Sequence, residues 1–175
     1  MLVLRATQKL RKALPLSVAG EEMSESALGD WYVNRIVAGR QPLLLLVSSK
    51  SRLPMLALAR NIKALPERLP EMIRDRISRL SVASSIVDAE VSASRPVLVG
   101  KTIDRSIIGQ MVDFAKAVPY YAPETGWNDV VLRMVEDRLA QTPCLASRSF
   151  DQVVFPDEAA VRILRAAWPA STTRH

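Results

Sequence analysis

Histidine is nearly missing from this chain: the only one is His175, the last residue, on a stretch expected to fray. That nearly excludes a Ser–His–Asp or Cys–His arrangement and a histidine general base. Cysteine is equally scarce. Cys144 alone forms no intramolecular disulfide, which fits a reducing compartment. One cysteine and one terminal histidine make no structural zinc site. Cys144 follows Thr-Pro at a helix end and reads as a small buried apolar group rather than a nucleophile. Long apolar runs are lacking too. The longest, "PLLLLV" at 42–47, is far below the roughly 20 residues that a membrane helix needs. The N-terminus carries its basic residues after a short apolar start, so no secretory signal is expected and the cytoplasm is the expected compartment. Glycine-rich turns are absent: Gly100 stands before Lys101 without P-loop spacing. Carboxylates leave magnesium open, yet Asp104/Asp113 and Glu136/Asp137 show no nuclease spacing, and neither metal nor cofactor is assigned. Aromatic residues are only 5% of the chain. Trp31 and Tyr32 alternate on a strand, one toward the core and one toward the opposite surface. Tyr120 and Tyr121 follow Pro119 in an expected loop. Core filling and edge packing are favoured for them over base stacking.

What is present is an ordinary globular balance. The chain has 175 residues, 49% of them apolar and 24% charged, enough for one domain with a real core. "LVLR" at 2–5 reads as a strand, followed by a short basic helix that Thr7 caps and Pro15 follows. Residues 15–29 read as a surface loop. The segment 31–59 parses into three strands (31–37, 42–48, 53–59) joined by turns at "AGRQ" and "SSKSRL", an antiparallel meander. Its middle strand is apolar throughout, as for a strand covered on both faces. From 66 the period becomes helical: Leu69, Met72, Ile73, Ile77 and Leu80 form one stripe. A shorter helix is expected near 82–92, a strand at 96–100, and helices near 104–118, 127–141 and 157–168. Pro119, Pro143 and Pro169 stand just beyond the ends of the last three. The expected class is α+β. A small, mainly antiparallel sheet (meander 31–59 plus strands near 2–5 and 96–100) is packed by several mostly C-terminal helices in one domain, 1–168, with a frayed tail at 169–175.

The formal charge is +6, and residues 30–65 carry most of it, with six basic residues against the single acid Asp30. An antiparallel meander brings Arg40, Arg60 and Lys63 to one end, with Arg35 just behind them. Lys50 and Arg52 go to the other end. Charged turns are commonly just solvated, but this is the best candidate anion surface in the chain.

A second candidate is "KTIDRSIIGQMVDF" at 101–114. A helix starting near Asp104 offers free N–H groups that Lys101, Arg105 and Ser106 supplement for an anion. Gly109 and Asp113 lie on the same outer side as Arg105. The plainer alternative is favoured: Asp104 or Thr102 caps the helix, Arg105 is solvated, and Gly109 lets another helix cross closely.

"LVLRATQKL" near the start, "GDWYVN" at 29–34, "DRSIIGQMVDF" at 104–114 and "QTPC" at 141–144 occur in this order over roughly residues 1–150. In this the chain resembles an uncharacterised bacterial family registered only as a domain of unknown function. Related domains form the N-terminal part of some plasmid open-reading-frame-type proteins. In that family's pattern asparagine is common at the position of Val112, and glutamate at that of Gln141. The resemblance implies no activity. It marks Arg105, Ser106, Gly109 and Asp113 as a site to test and suggests a plasmid, phage or other mobile-element setting. Together these readings favour a cytoplasmic binding module for nucleic acid or another polyanion, with no membrane partner. Two alternatives stay open. One is a histidine-independent enzyme acting on a phosphorylated small molecule or RNA, and the other is a protein-interaction module or homo-oligomer.

Overall fold

The computed structural model of the chain describes residues 1–15, 20, 22–122, 124, 126–145 and 153–169. His175 and most of the expected tail lie outside these residues, as do 16–19 and 21 of the expected loop. The expected meander is β2 (Trp31–Ala38), β3 (Gln41–Ser48) and β4 (Pro54–Leu58), with Ala38 opposite Gln41 and Val47 opposite both Tyr32 and Pro54. β1 (Leu2–Ala6) lies beside β2, and β5 (Val97–Lys101) lies beyond β1; β1 is parallel to both. The order is β4-β3-β2-β1-β5. Short turns make the meander antiparallel, whereas the two outlying strands, reached through long connections, join in parallel. A second pair, β6 (Cys144–Leu145) with β7 (Val153–Val154), is too short to leave a readable period in the sequence.

Helices cover both faces. On one lie α1 (Gln8–Arg11), α2 (Leu65–Ser78), α3 (Ser84–Ala93) and α6 (Pro156–Ala167), and on the other α4 (Arg105–Tyr121) and α5 (Asp129–Ala140). The pleat of β3 sorts its leucines between the two cores: Leu44 and Leu46 pack toward α2, Leu43 and Leu45 toward α4. Full burial of each contributes on the order of 2 kcal/mol. Trp31 and Tyr32 divide in the same way, but neither reaches solvent, at 0% and 2% exposure. The surface expected for one of them is the underside of α4.

Two local expectations are corrected. Thr7 makes no cap bond to α1; its hydroxyl donates to Asn34 Oδ1 at 3.2 Å. α4 does not stop before Pro119 but runs on to Tyr121. So near the helix end, Pro119 forfeits only one backbone bond, while buried Val118 and half-buried Tyr121 hold the last turn against the core. The Arg138 guanidinium also lies 5.8 Å from the centre of the Tyr121 ring.

The segment before β2 is tied down by buried carboxylates. Asp30 Oδ2 accepts from Arg5 Nε at 2.7 Å. Glu90, fully buried on α3, accepts from Ser26 Oγ and from the Ala27 and Leu28 N–H groups, and Trp168 Nε1 donates to it at 2.8 Å. Burial of these polar groups is tolerated because each is met by several donors.

Candidate functional site

The hairpin between β2 and β3 turns on Gly39, whose φ of +64° suits glycine, and exposes Arg40. At the same end, the Ala59 N–H bonds to the Pro42 carbonyl at 3.2 Å, which places Arg60 opposite the hairpin. Asn61, at φ +46°, then turns the chain into the single 3₁₀ turn Ile62–Ala64 that displays Lys63. The meander thus gathers Arg40, Arg60 and Lys63 at one end, with exposed Arg35 three rows back from Ala38 on β2.

One cation missing from that set is Lys9. Parallel pairing of β1 with β2 sets α1 beside residues 34–35, leaving a cleft of about 280 Å³ lined by Thr7, Lys9, Asn34, Arg35 and Ile62 among others. The basic character of α1 is plain in the sequence; its neighbour is not, because pairing order leaves no trace in a five-residue strand. Among the described residues the ion pairs of arginine run through Arg5, Arg74, Arg76, Arg79, Arg95 and Arg133. None includes Lys9, Arg35, Arg40, Arg60 or Lys63. Among the described residues these five cations have no carboxylate within 4.0 Å, whereas Asp75, Glu136 and Asp137 are paired with arginines between α2 and α5.

The start of α4 is built differently. Asp104 is its cap: Oδ1 accepts from the Ser106 N–H at 2.8 Å and from Ser106 Oγ at 2.7 Å. Ser106 Oγ accepts in turn from Arg52 Nη2 at 3.1 Å. The Asp104 N–H donates to the Tyr32 hydroxyl at 3.2 Å. Burial lowers the Arg52 pKa against the pull of Asp104. For Asp104, burial raises the pKa, but the Ser106 hydrogen bonds and the Arg52 charge outweigh it and leave the carboxyl below its ordinary value. The positive end of α4 is therefore met by the chain's own carboxylate.

The other residues marked in this stretch sit around that knot. Arg105 is exposed, and so is Lys101, whose carbonyl accepts a long 3.5 Å bond from Arg5 Nη1. Gly109 is exposed, and a methyl group built there meets no heavy atom of the described residues within 4 Å. The close helix crossing expected at Gly109 is overturned: this side of α4 faces outward, while Ile107, Met111, Phe114 and Val118 face the core. Asp113 is exposed yet near enough to Cys144 for its charge to raise the thiol pKa. Burial is the larger cause, Arg52 opposes it, and the thiol stands at about 11. Cys144 Sγ donates to the Thr142 carbonyl at 3.4 Å.

Arg52 belongs to the β3–β4 turn, so Ser106 lies at the opposite end of the meander from Arg40. The two candidate surfaces are separate. Among the described residues no helix is long and apolar enough to cross a membrane, and no three His, Cys, Asp or Glu side chains are grouped to hold a metal ion.

A family model matches residues 3–159, and its description is a domain of unknown function (DUF6933). No curated protein and no solved structure matches the chain.

Proposed function

Since the chain belongs to the DUF6933 family, whose description names no activity, we propose its function from its own surface: a module that binds nucleic acid or another polyanion at the Arg40 end of the sheet. One observation carries this reading. Lys9, Arg35, Arg40, Arg60 and Lys63 share that end with no carboxylate within 4.0 Å among the described residues, while Arg76, Arg79 and Arg133 are paired with Asp137, Glu136 and Asp75. Unpaired cations at one end give up no existing contact when phosphates arrive, and each phosphate neutralised releases counterions. Lys101, Arg105 and Ser106 form a lesser, separate anion surface in this reading. A cytoplasmic, bacterial and mobile-element setting belongs to the same proposal.

The enzyme alternative centred on Arg105, Ser106 and Asp113 gains no observation, because the Ser106 hydroxyl is engaged by both Asp104 and Arg52. The test is the salt dependence of binding, read by fluorescence anisotropy with labelled single-stranded RNA and duplex DNA. Wild type should bind with a steep salt slope. Arg40→Ala/Arg60→Ala/Lys63→Ala should flatten it by up to about three on a log–log plot, near 0.9 per lost duplex contact. An unchanged slope removes this surface from the account.

A further inference from the structure

β4 is an outer strand of the sheet, and an outer strand carries main-chain groups that no neighbour pairs. The Ser48 N–H bonds to the Leu53 carbonyl, and the Ala59 N–H to the Pro42 carbonyl. By the alternation of an antiparallel ladder, residues 55 and 57 then face β3, while 54, 56 and 58 turn their polar groups outward. Most of these are already met by the protein. Arg76 Nε donates to the Pro54 carbonyl at 2.9 Å, the Leu56 N–H donates to Glu136 Oε1 at 2.7 Å, and the Arg60 N–H donates to the Leu58 carbonyl at 2.7 Å. Two groups are left without a hydrogen bond among the described residues: the Leu56 carbonyl and the Leu58 N–H.

These two border a groove of about 700 Å³ with β4 as its floor and α2 and α5 as its walls. Asp75 of one wall and Arg133 of the other meet across it at 2.6 Å. An acceptor and a donor two residues apart on one edge suit a single residue of a strand added in parallel, which gives its N–H to the first and takes the second with its C=O. Antiparallel addition also calls on the Leu56 N–H and the Leu58 carbonyl, and both are taken.

We infer that this groove docks an extended peptide segment of a partner protein, added parallel to β4 with one residue bridging Leu56 and Leu58. The bridging residue lies opposite Ala57, which faces the α2 side, so its side chain turns toward Met72. Its two neighbours turn toward Leu132 and Asp129 of the α5 wall. Asp129 has no ion pair among the described residues, whereas Arg133 on the same wall is paired with Asp75. Arg60, Arg68 and Glu67 also line the groove without an ion pair among the described residues, so an apolar bridging residue with a lysine or arginine only on its Asp129 side fits best. The groove shares Arg60 with the basic end of the sheet, but the inference does not rest on the polyanion reading, because neither main-chain group carries charge.

The probe is a peptide selected from a phage-displayed library of random sequences on the immobilised full chain, then synthesised. It should protect the Leu58 amide from hydrogen exchange. Leu58→Pro removes only an outward N–H, which an edge strand tolerates, and should weaken binding about tenfold, the loss of one main-chain hydrogen bond. If Leu58→Pro does not fold, exchange at Leu58 in the wild type decides alone. Three results overturn the proposal. They are a selection that yields no peptide, a peptide that leaves the Leu58 amide exchanging at its free rate, and Leu58 protection that rises with protein concentration alone and so assigns the edge to a second copy.

Discussion

Arg52 and Ser106 are 54 residues apart in sequence, yet the guanidinium of one donates to the hydroxyl of the other at 3.1 Å. This contact pins the β3–β4 turn to the first turn of α4. Tyr32 reaches the same point through the Asp104 N–H, and Cys144 lies within the field of Arg52. Three sequence stretches that look unrelated along the chain, "GDWYVN", "DRSIIGQMVDF" and "QTPC", therefore meet around one arginine. Their spacing is that of a fold-holding knot, with the polar groups turned toward each other.

Asp104 is the hinge of that knot. Asp104→Ala should destabilise by about 1 kcal/mol, the ordinary cost of a lost cap, or some 2–4 °C in Tm for a chain of this size. Asparagine also caps, so Asp104→Asn should retain most of the stability at pH 7. The folded-state carboxyl stands below its ordinary value. Its contribution is therefore full above the unfolded value of about 3.9 and is lost as pH falls through the folded value. Melts of wild type and Asp104→Ala should differ by a constant amount from pH 7 to 5 and draw closer, by the charge-dependent part, as pH falls below about 4. A gap that widens on acidification would reverse the sign and remove Asp104 as a charged cap.

Cys144 should be chemically quiet. With its thiol at about 11, only about one in a thousand is ionised at pH 8, and the thiolate is the reactive form. A thiol reagent should label the native protein far more slowly than the unfolded one. Cys144→Ala should cost about 1–2 kcal/mol and leave nucleic-acid binding unchanged. Rapid labelling of the folded chain is the result that contradicts this.

The cleft between α1 and β2 extends the polyanion test. Lys9→Ala and Arg35→Ala, each combined with the Arg40/Arg60/Lys63 triple variant, should flatten the salt slope further, by roughly 0.9 per contact on duplex DNA. Arg133→Ala is the control. Its charge is already paired with Asp75, so it should leave the slope as it is. Equal effects from Arg133 and from Lys9 would mean that net charge alone is being read.

Much of this architecture is written in local periodicity. The run Leu43–Leu46 identifies a strand covered on both faces, and the stripe Leu69, Ile73, Ile77 a helix on a core; both stand so. The gathering of Arg40, Arg60 and Lys63 also follows from the sequence, because short turns leave a meander only one geometry. What escaped depends on contacts between distant segments. The parallel seat of β1 between β2 and β5 brings Lys9 to Arg35, and the path of residues 102–104 carries Ser106 to Arg52 and away from Arg40. Neither leaves a period in the chain. Pro119 misleads for a physical reason: as a stop signal it was outweighed by the burial of Val118.

Gly109 is where sequence and structure part most sharply, and there the prediction changes sign. A glycine in the middle of a helix raises the expectation of a close crossing, in which Gly109→Ala would overpack and destabilise by 1–3 kcal/mol. The added methyl instead meets no heavy atom of the described residues within 4 Å. What remains is backbone entropy and helix propensity, which favour alanine over glycine by roughly 1 kcal/mol. Gly109→Ala should therefore raise Tm by about 2–4 °C, and Arg105→Ala, on the same exposed side, should leave Tm within about a degree, as surface changes do. Binding separates the two roles left to this face. If Gly109→Ala is more stable and binds RNA and DNA as the wild type does, the helix surface is merely solvated. If it is more stable yet binds more weakly, and Arg105→Ala weakens binding with it, a ligand approaches α4 over Gly109. A drop in Tm for Gly109→Ala would contradict the open surface itself.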